Sequence, residues 1–267
     1  MIVDYHMHLR DERNDIDHSA DAAEKFVERA RERAVDEIGF TEHVYYFRQT
    51  RACWSRPYQT ERCVYDLDTY VDAVLEAKRR GLPVKLGVEV DWFPPGDETL
   101  TDLLAPYPWD YLLGSVHWLD GRLSVDGGSD RGAWLEWPAE KVWRRYVEEW
   151  TRAACSGRFD VMSHPDLAKI FGVRGSDECY AEMAAAADDA DIALEISTAG
   201  LRKPVGELYP DERLLRASRA PVTLASDAHF PAQVGEDFEQ AVALAGRCGR
   251  DTVSVFDGRV RRQEPLG

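Results

Sequence analysis

Asp4-Tyr5-His6-Met7-His8 follows directly on the apolar pair Ile2-Val3. A short apolar run reads as a buried strand, and side chains two apart along a strand face the same way. His6 and His8 can therefore point from the end of one strand into one site. The chain has seven histidines, and four more stand in a similar setting: Gly39-Phe40-Thr41-Glu42-His43, Gly114-Ser115-Val116-His117, Met162-Ser163-His164 and Ser226-Asp227-Ala228-His229. His18, in an acidic loop, is the looser case.

Working outward, Ile2 to Tyr5, Glu37 to Phe40, Val84 to Val90, Tyr111 to Val116, Phe159 to Met162, Ile192 to Ile196 and Val222 to Ala225 read as seven strands. Between them the spacing predicts helices over Ser19 to Ala34, with Ser19 as N-cap, and over Leu67 to Arg80, Glu98 to Ala105, Glu140 to Cys155, Ser176 to Ala190, Asp211 to Ser218 and Phe238 to Ala245. Thr252 to Phe256 reads as a last short strand. Strand and helix in alternation imply a parallel sheet, closed or nearly closed, in one domain over residues 1–267. The histidines then fall at the C-terminal ends of the strands, where α/β barrels place their active sites. Two long loops interrupt the pattern: residues 44–66, rich in aromatics and arginine, and residues 120–137, rich in Gly and Asp. Long loops in compact domains are more often functional than accidental.

Composition narrows the class. Hydrophobic residues make up 44%, enough for a full core. No apolar run approaches the ~20 residues that span a membrane, and the N-terminus lacks a signal-peptide pattern. The expectation is a soluble cytoplasmic protein. A net charge of −16 argues against non-specific nucleic-acid binding, but bound divalent cations would let an acidic pocket accept an anion. The five cysteines form no CxxC pair, which reads as reduced, mostly buried thiols rather than a disulfide framework or a Cys-based zinc site.

Imidazole and carboxylate are the usual ligands of zinc, manganese and iron. A lone histidine after a strand is more often a hydrogen-bonded structural residue. Six of seven at strand ends, joined by Glu89 and Asp227, read as a metal site. The candidates are His6, His8, His18, His43, Glu89, His117, His164, Asp227 and His229. They are too many for one ion, since tetrahedral and octahedral sites take about four and six ligands. Two or three ions follow, and such sites suit hydrolysis of phosphate esters.

The same segments, with Gly87-Val88-Glu89-Val90-Asp91 and Ser163-His164-Pro165-Asp166-Leu167, resemble the successive motifs of the PHP (polymerase and histidinol phosphatase) superfamily. Glu195-Ile196-Ser197-Thr198-Ala199-Gly200-Leu201-Arg202 is similar to the "E-I-N-T-S-G-L-R" signature of its monofunctional histidinol-phosphatase branch, with Ser197 and Ala199 as departures. The resemblance runs from residue 2 to about residue 230. It implies a distorted (β/α)7 barrel with a trinuclear site of Zn, Mn or Fe. His6, His8, Glu89 and Asp227 would hold one ion, Glu89, His117 and His164 a second, and His18, His43 and His229 the third. Around His18 the sequence reads Ile16-Asp17-His18-Ser19-Ala20 where family members often show Cys-Gly-His-Ala, which leaves Asp15 or Asp17 as substitutes.

The implied activity is hydrolysis of histidinol phosphate in histidine biosynthesis, with another phosphoesterase acting on nucleotide or sugar phosphates as the alternative. A hydroxide bridging two metals would attack phosphorus in line. Asp227 or His229 would supply a proton to the leaving alkoxide. An arginine fork pairs bidentately with phosphate, so Arg202 is the expected clamp and Lys169 a second candidate. Asp91, Trp92 and the aromatic loop are candidates for the substrate's ammonium and imidazole. The expected partner is a small phosphate monoester, with no nucleic acid and no membrane.

Overall fold

Local signals place the helices. In the computed structural model, which describes residues 1–11, 13, 15–94, 97–126 and 132–267, Ser19 caps α1 (Ala20–Glu32) by accepting from the Ala22 N–H at 3.1 Å. After the short α2 (Pro57–Thr60), Asp66 caps α3 (Leu67–Arg79) in the same way through Thr69. Such caps stabilise a helix by about 1 kcal/mol each. α4 (Asp97–Leu104) and α5 (Gly132–Glu136) are short. α6 (Ala139–Ala154) buries Val142, Trp143, Tyr146, Val147 and Trp150, the stripe expected from their spacing. α7 (Asp177–Ala190), α8 (Glu212–Ala217) and α9 (Phe238–Arg247) follow.

The strands are β1 (Val3–Asp4), β2 (Glu37–Phe40), β3 (Val84–Asp91), β4 (Tyr111–Ser115), a ribbon of β5 (Trp118–Leu119) and β6 (Leu123–Ser124), then β7 (Val161–Met162), β8 (Ala193–Ser197) and β9 (Val222–Ala225). Seven of them form one sheet in the order β1-β2-β3-β4-β7-β8-β9, and every neighbouring pair is parallel. The first and last strands meet. Tyr5 N–H donates to Leu224 O at 3.0 Å, His8 N–H donates to Ala228 O at 2.7 Å, and Met7 bridges Ala228. The result is the distorted seven-stranded barrel that the motifs implied. No described helix is long and apolar enough to cross a membrane.

The barrel interior is closed by aromatic rings. The Tyr111 hydroxyl crosses to Tyr5 O at 2.7 Å. It passes so near the neighbouring strands that a Cβ on Gly39 would stand 2.0 Å from Tyr111 Oη, and one on Gly87 2.8 Å from Cζ. Phe256 packs against both Tyr5 and Tyr111. It belongs to β10 (Thr252–Asp257), which pairs antiparallel with β11 (Val260–Pro265).

Three departures from the sequence reading stand out. β11 was not expected, because Val-Arg-Arg-Gln-Glu-Pro is polar and mostly exposed and so lacks an apolar face. The loop 44–66 is not irregular throughout. It carries 3-10 turns over Val44–Tyr46 and Arg48–Cys53, and α2. The Gly- and Asp-rich loop holds β6, which pairs with β5 just ahead of it, and α5, while its residues 127–131 lie outside the described residues.

Candidate metal centre

Every candidate ligand but His18 sits in a strand near its C-terminal end or within four residues past it. His6 and His8 follow β1, His43 follows β2, Glu89 and Asp91 are in β3, His117 follows β4, His164 follows β7, and Asp227 and His229 follow β9. Two of these lie in left-handed turns, His164 at φ 22° and Asp227 at φ 51°. Such a turn is uncommon for a residue other than glycine and aims the side chain off the strand direction.

Glu89 is the hub, fully buried. Its Oε2 lies 2.6 Å from His43 Nδ1, 3.4 Å from His6 Nε2 and 3.7 Å from His8 Nε2. Its Oε1 lies 3.3 Å from His164 Nε2 and 3.4 Å from His117 Nε2, and accepts from Ser115 Oγ at 2.7 Å. Asp227 Oδ1 faces His8 Nε2 at 3.4 Å, His229 Nδ1 at 3.6 Å and His6 Nε2 at 3.7 Å. Among the described residues three sets bring one ligand atom each within 4.8 Å of one another: His8, His43 and His229; His6, Glu89 and His164; His6, His8 and Asp227.

Carboxylates behind the imidazoles set their orientation. His6 Nδ1 is 2.9 Å from Glu195 Oε2, His8 Nδ1 is 3.0 Å from Glu42 Oε1, and His117 Nδ1 is 2.7 Å from Asp91 Oδ1. A carboxylate on one ring nitrogen leaves the other free to ligate, the usual support of metal-binding histidines. Meanwhile His6 Nε2, His8 Nε2 and His164 Nδ1 are buried without a hydrogen-bond partner. Buried polar atoms are nearly always satisfied, and unpartnered imidazole nitrogens beside a cluster of carboxylates fit a site that holds cations.

Electrostatics point the same way. Burial works against a charged His117, but Asp91 and Glu89 outweigh it and push the ring up to about 10. His229 goes the other way. Burial, with His8, Arg10 and His43 adding to it, pushes it down to about 3 despite Asp227, so its ring is neutral with a lone pair to give. Burial would raise Asp227, but His6 and the other nearby imidazoles hold it well below the ordinary aspartate value. Asp227 as a carboxylate and His229 as a neutral ring each have a lone pair to offer a cation.

The remaining expectations fare differently. His18 Nε2 lies 3.2 Å from Glu42 Oε2, with its ring among Phe47, Tyr65 and Tyr70, and His18 joins none of the three sets. Asp15 and Asp17 are exposed. Arg202 and Lys169, expected to clamp phosphate, are engaged elsewhere. Arg202 Nη2 donates to the carbonyls of Ser226 and Asp227, and its Nη1 to Glu236 Oε2 at 3.2 Å. Lys169 is fully buried, 3.1 Å from Asp166 Oδ2, and donates to Leu208 O at 2.7 Å. Among the described residues, the cations lining the cavity of about 370 Å³ above the cluster are Arg10 and Lys203. Arg10 had a legible signal, since positions 6, 8 and 10 share one side of an extended chain. Asp91, a candidate for the substrate's ammonium, lines this cavity and also backs His117. Glu42 and Glu195 stand in the motifs, and the fold makes site residues of them by pairing them with His8 and His6.

A family model of the PHP domain matches residues 4–199. The chain belongs to the PHP domain family. A relative from Deinococcus radiodurans, named "Probable histidinol-phosphatase", is 32% identical over 93% of this chain and 94% of its own length. Among solved structures, the HisK protein of Listeria monocytogenes superposes on this PHP domain with a TM-score of 0.74 at 21% identity, over 89% of this chain and 99% of that one. The histidinol phosphate phosphatase of Lactococcus lactis, solved with zinc, L-histidinol and phosphate, does so with a TM-score of 0.72 at 21% identity, over 98% of each chain. At that identity these two likenesses are of fold.

Proposed function

We propose that the protein is a metal-dependent phosphomonoesterase that hydrolyses histidinol phosphate to histidinol and phosphate, a step of histidine biosynthesis. The observation that carries the metal chemistry is the meeting of His6, His8, His43, His117 and His164 at Glu89, with carboxylates behind His6, His8 and His117. The substrate is supported by the relative at 32% identity and its name. His6, His8, His43, Glu89, His117, His164, Asp227 and His229 are the proposed ligands. Three divalent ions suit the number of donors, and the absence of sulfur among them fits zinc, manganese or iron. When bound, such ions supply positive charge for phosphoryl oxygens and a water that is acidic near neutral pH.

The chain's own residues do the rest. Glu89, Asp91 and Asp227 make the cavity floor acidic, so it accepts a phosphate only when cations offset them. Tyr45, Tyr58 and Trp118 wall one side and Asp126 lines it, a surface suited to an imidazole and an ammonium group. The net charge of −16 accords with a small-molecule partner rather than nucleic acid, and a biosynthetic role accords with the cytoplasm. Phosphate release by metal-loaded protein tests the reading, with histidinol phosphate set against nucleotide and sugar phosphates. A preference for histidinol phosphate of at least about tenfold is expected, and a smaller one overturns the substrate assignment.

A further inference from the structure

Among the described residues six tyrosines are less than 2% exposed: Tyr5, Tyr70, Tyr111, Tyr146, Tyr180 and Tyr209. Five have a hydroxyl engaged within the protein. Tyr5 donates to Glu37, Tyr70 to Gly87 O at 2.8 Å, Tyr111 to Tyr5 O at 2.7 Å, Tyr146 to Pro165 O at 2.9 Å and Tyr180 to Asp166 Oδ2 at 3.4 Å. Tyr209 is the exception, because its Oη is buried without a hydrogen-bond partner. Tyr209 also lines the cavity above the candidate metal centre.

Everything else about Tyr209 is fixed. Its backbone exchanges hydrogen bonds with Ser197, N–H to O at 2.9 Å and O from N–H at 2.7 Å. Its ring stands edge-on to His164 at 6.4 Å between centroids, with Lys169 Nζ 5.4 Å from its own. Lys169 is itself held by Asp166 and Leu208 O. Gly200 leaves the ring room, since a Cβ there would stand 3.0 Å from Tyr209 Cε2 and 2.0 Å from Glu207 O. A buried phenol normally has a partner for its hydroxyl. A rigid ring with an unengaged hydroxyl, beside a candidate ligand on the cavity wall, is set up to donate to what the cavity binds.

We propose that Tyr209 Oη donates a hydrogen bond to a non-bridging oxygen of the phosphoryl group bound next to His164. The inference rests on the phosphomonoesterase reading and adds to it a donor from the chain itself. It would make Tyr209 a catalytic residue that contacts phosphate in the ground state as well as during transfer.

The test is Tyr209→Phe in the metal-loaded full chain, with Tyr180→Phe as a control whose hydroxyl bonds Asp166 instead. Inorganic phosphate is the probe, read as a dissociation constant by calorimetry and as a product-inhibition constant. A hydrogen bond to a charged oxygen predicts that Y209F weakens phosphate binding about tenfold or more. It should lower kcat/KM for p-nitrophenyl phosphate by a similar factor and leave the melting temperature at or above that of the wild type. Y180F should lose stability and keep its phosphate affinity. Phosphate binding by Y209F within about twofold of wild type overturns the proposal, as does wild-type protein that binds no phosphate. If wild-type protein turns over p-nitrophenyl phosphate but not histidinol phosphate, the substrate reading fails, and the Tyr209 comparison still decides this proposal.

Discussion

Glu195 Oε2 lies 2.9 Å from His6 Nδ1, and this pair decides which nitrogen of His6 looks into the barrel. The other carboxylate oxygen accepts the His164 backbone N–H at 3.0 Å, so one side chain in β8 positions two candidate ligands from β1 and β7. Loss of such a support typically costs 10–100-fold in metal affinity. Glu195→Ala is expected to weaken metal binding by about that factor while the far-ultraviolet circular dichroism stays that of the wild type. Chelator competition measures it, and unchanged affinity would remove Glu195 from the positioning role.

His117 sets a pH dependence. Its folded value, about 10, is above the ordinary 6.5 because Asp91 and Glu89 outweigh the effect of burial. A raised value means that the pairing stabilises metal-free protein fully below about pH 6.5, and that this contribution is lost as the pH rises through about 10. Metal-free protein should therefore lose melting temperature between those limits, and Asp91→Asn should flatten that slope. Metal binding must displace the His117 proton, so it should release protons and tighten as pH rises. Calorimetry in two buffers of different ionisation enthalpy reads the release, and no release would contradict the assignment of His117 as a ligand.

Much of the fold and cluster was legible because the informative residues border apolar runs. His43, Glu89, His117 and Asp227 all lie within three residues of a strand end or inside a strand, so finding the strands located them. Charge type was legible too, but engagement was not. Lys169 follows Asp166 by three residues, yet only the fold shows the two buried together. Glu42 and Glu195 each stand within a motif, but their job depends on pairing with His8 and His6 from another strand. β11 escaped because its exposed arginines give no alternation, although Asp257-Gly258 ahead of it is a hairpin signal. Gly258 and Arg259 both take positive φ there, 54° and 63°.

Arg202 offers a discrimination between two roles. Its guanidinium holds the carbonyls of Ser226 and Asp227, the turn in which Asp227 adopts φ 51°. Arg202→Ala should therefore lower metal content and activity together, with recovery in excess metal. A direct phosphate clamp would instead weaken phosphate binding with metal content intact. Metal analysis beside phosphate inhibition separates them. Arg202→Lys should rescue poorly, since an ammonium lacks the fork that holds these carbonyls with one nitrogen and Glu236 with another.

The contact between Gly39 and Tyr111 predicts a coupled pair. A Cβ on Gly39 would stand 2.0 Å from Tyr111 Oη, while that hydroxyl is held by Tyr5 O at 2.7 Å. Gly39→Ala must push the ring aside and break a buried hydrogen bond, which together cost about 2–4 kcal/mol. Tyr111→Phe alone removes the hydrogen bond and should cost about 1 kcal/mol. In the double variant the nearest atom is gone and the bond can be lost only once, so the loss should fall below the sum of the two single losses by about 1 kcal/mol or more. Urea denaturation of the four proteins measures the cycle, and additive losses would show that the crossing ring does not set the need for glycine. The consequence reaches the site. Tyr5 directly precedes His6 and Gly39 lies four residues before His43, so a barrel widened at this crossing separates the strand ends that bring these imidazoles to Glu89. Gly39→Ala should thus weaken metal binding even where the protein still folds, and Tyr111→Phe in the same chain should restore part of it.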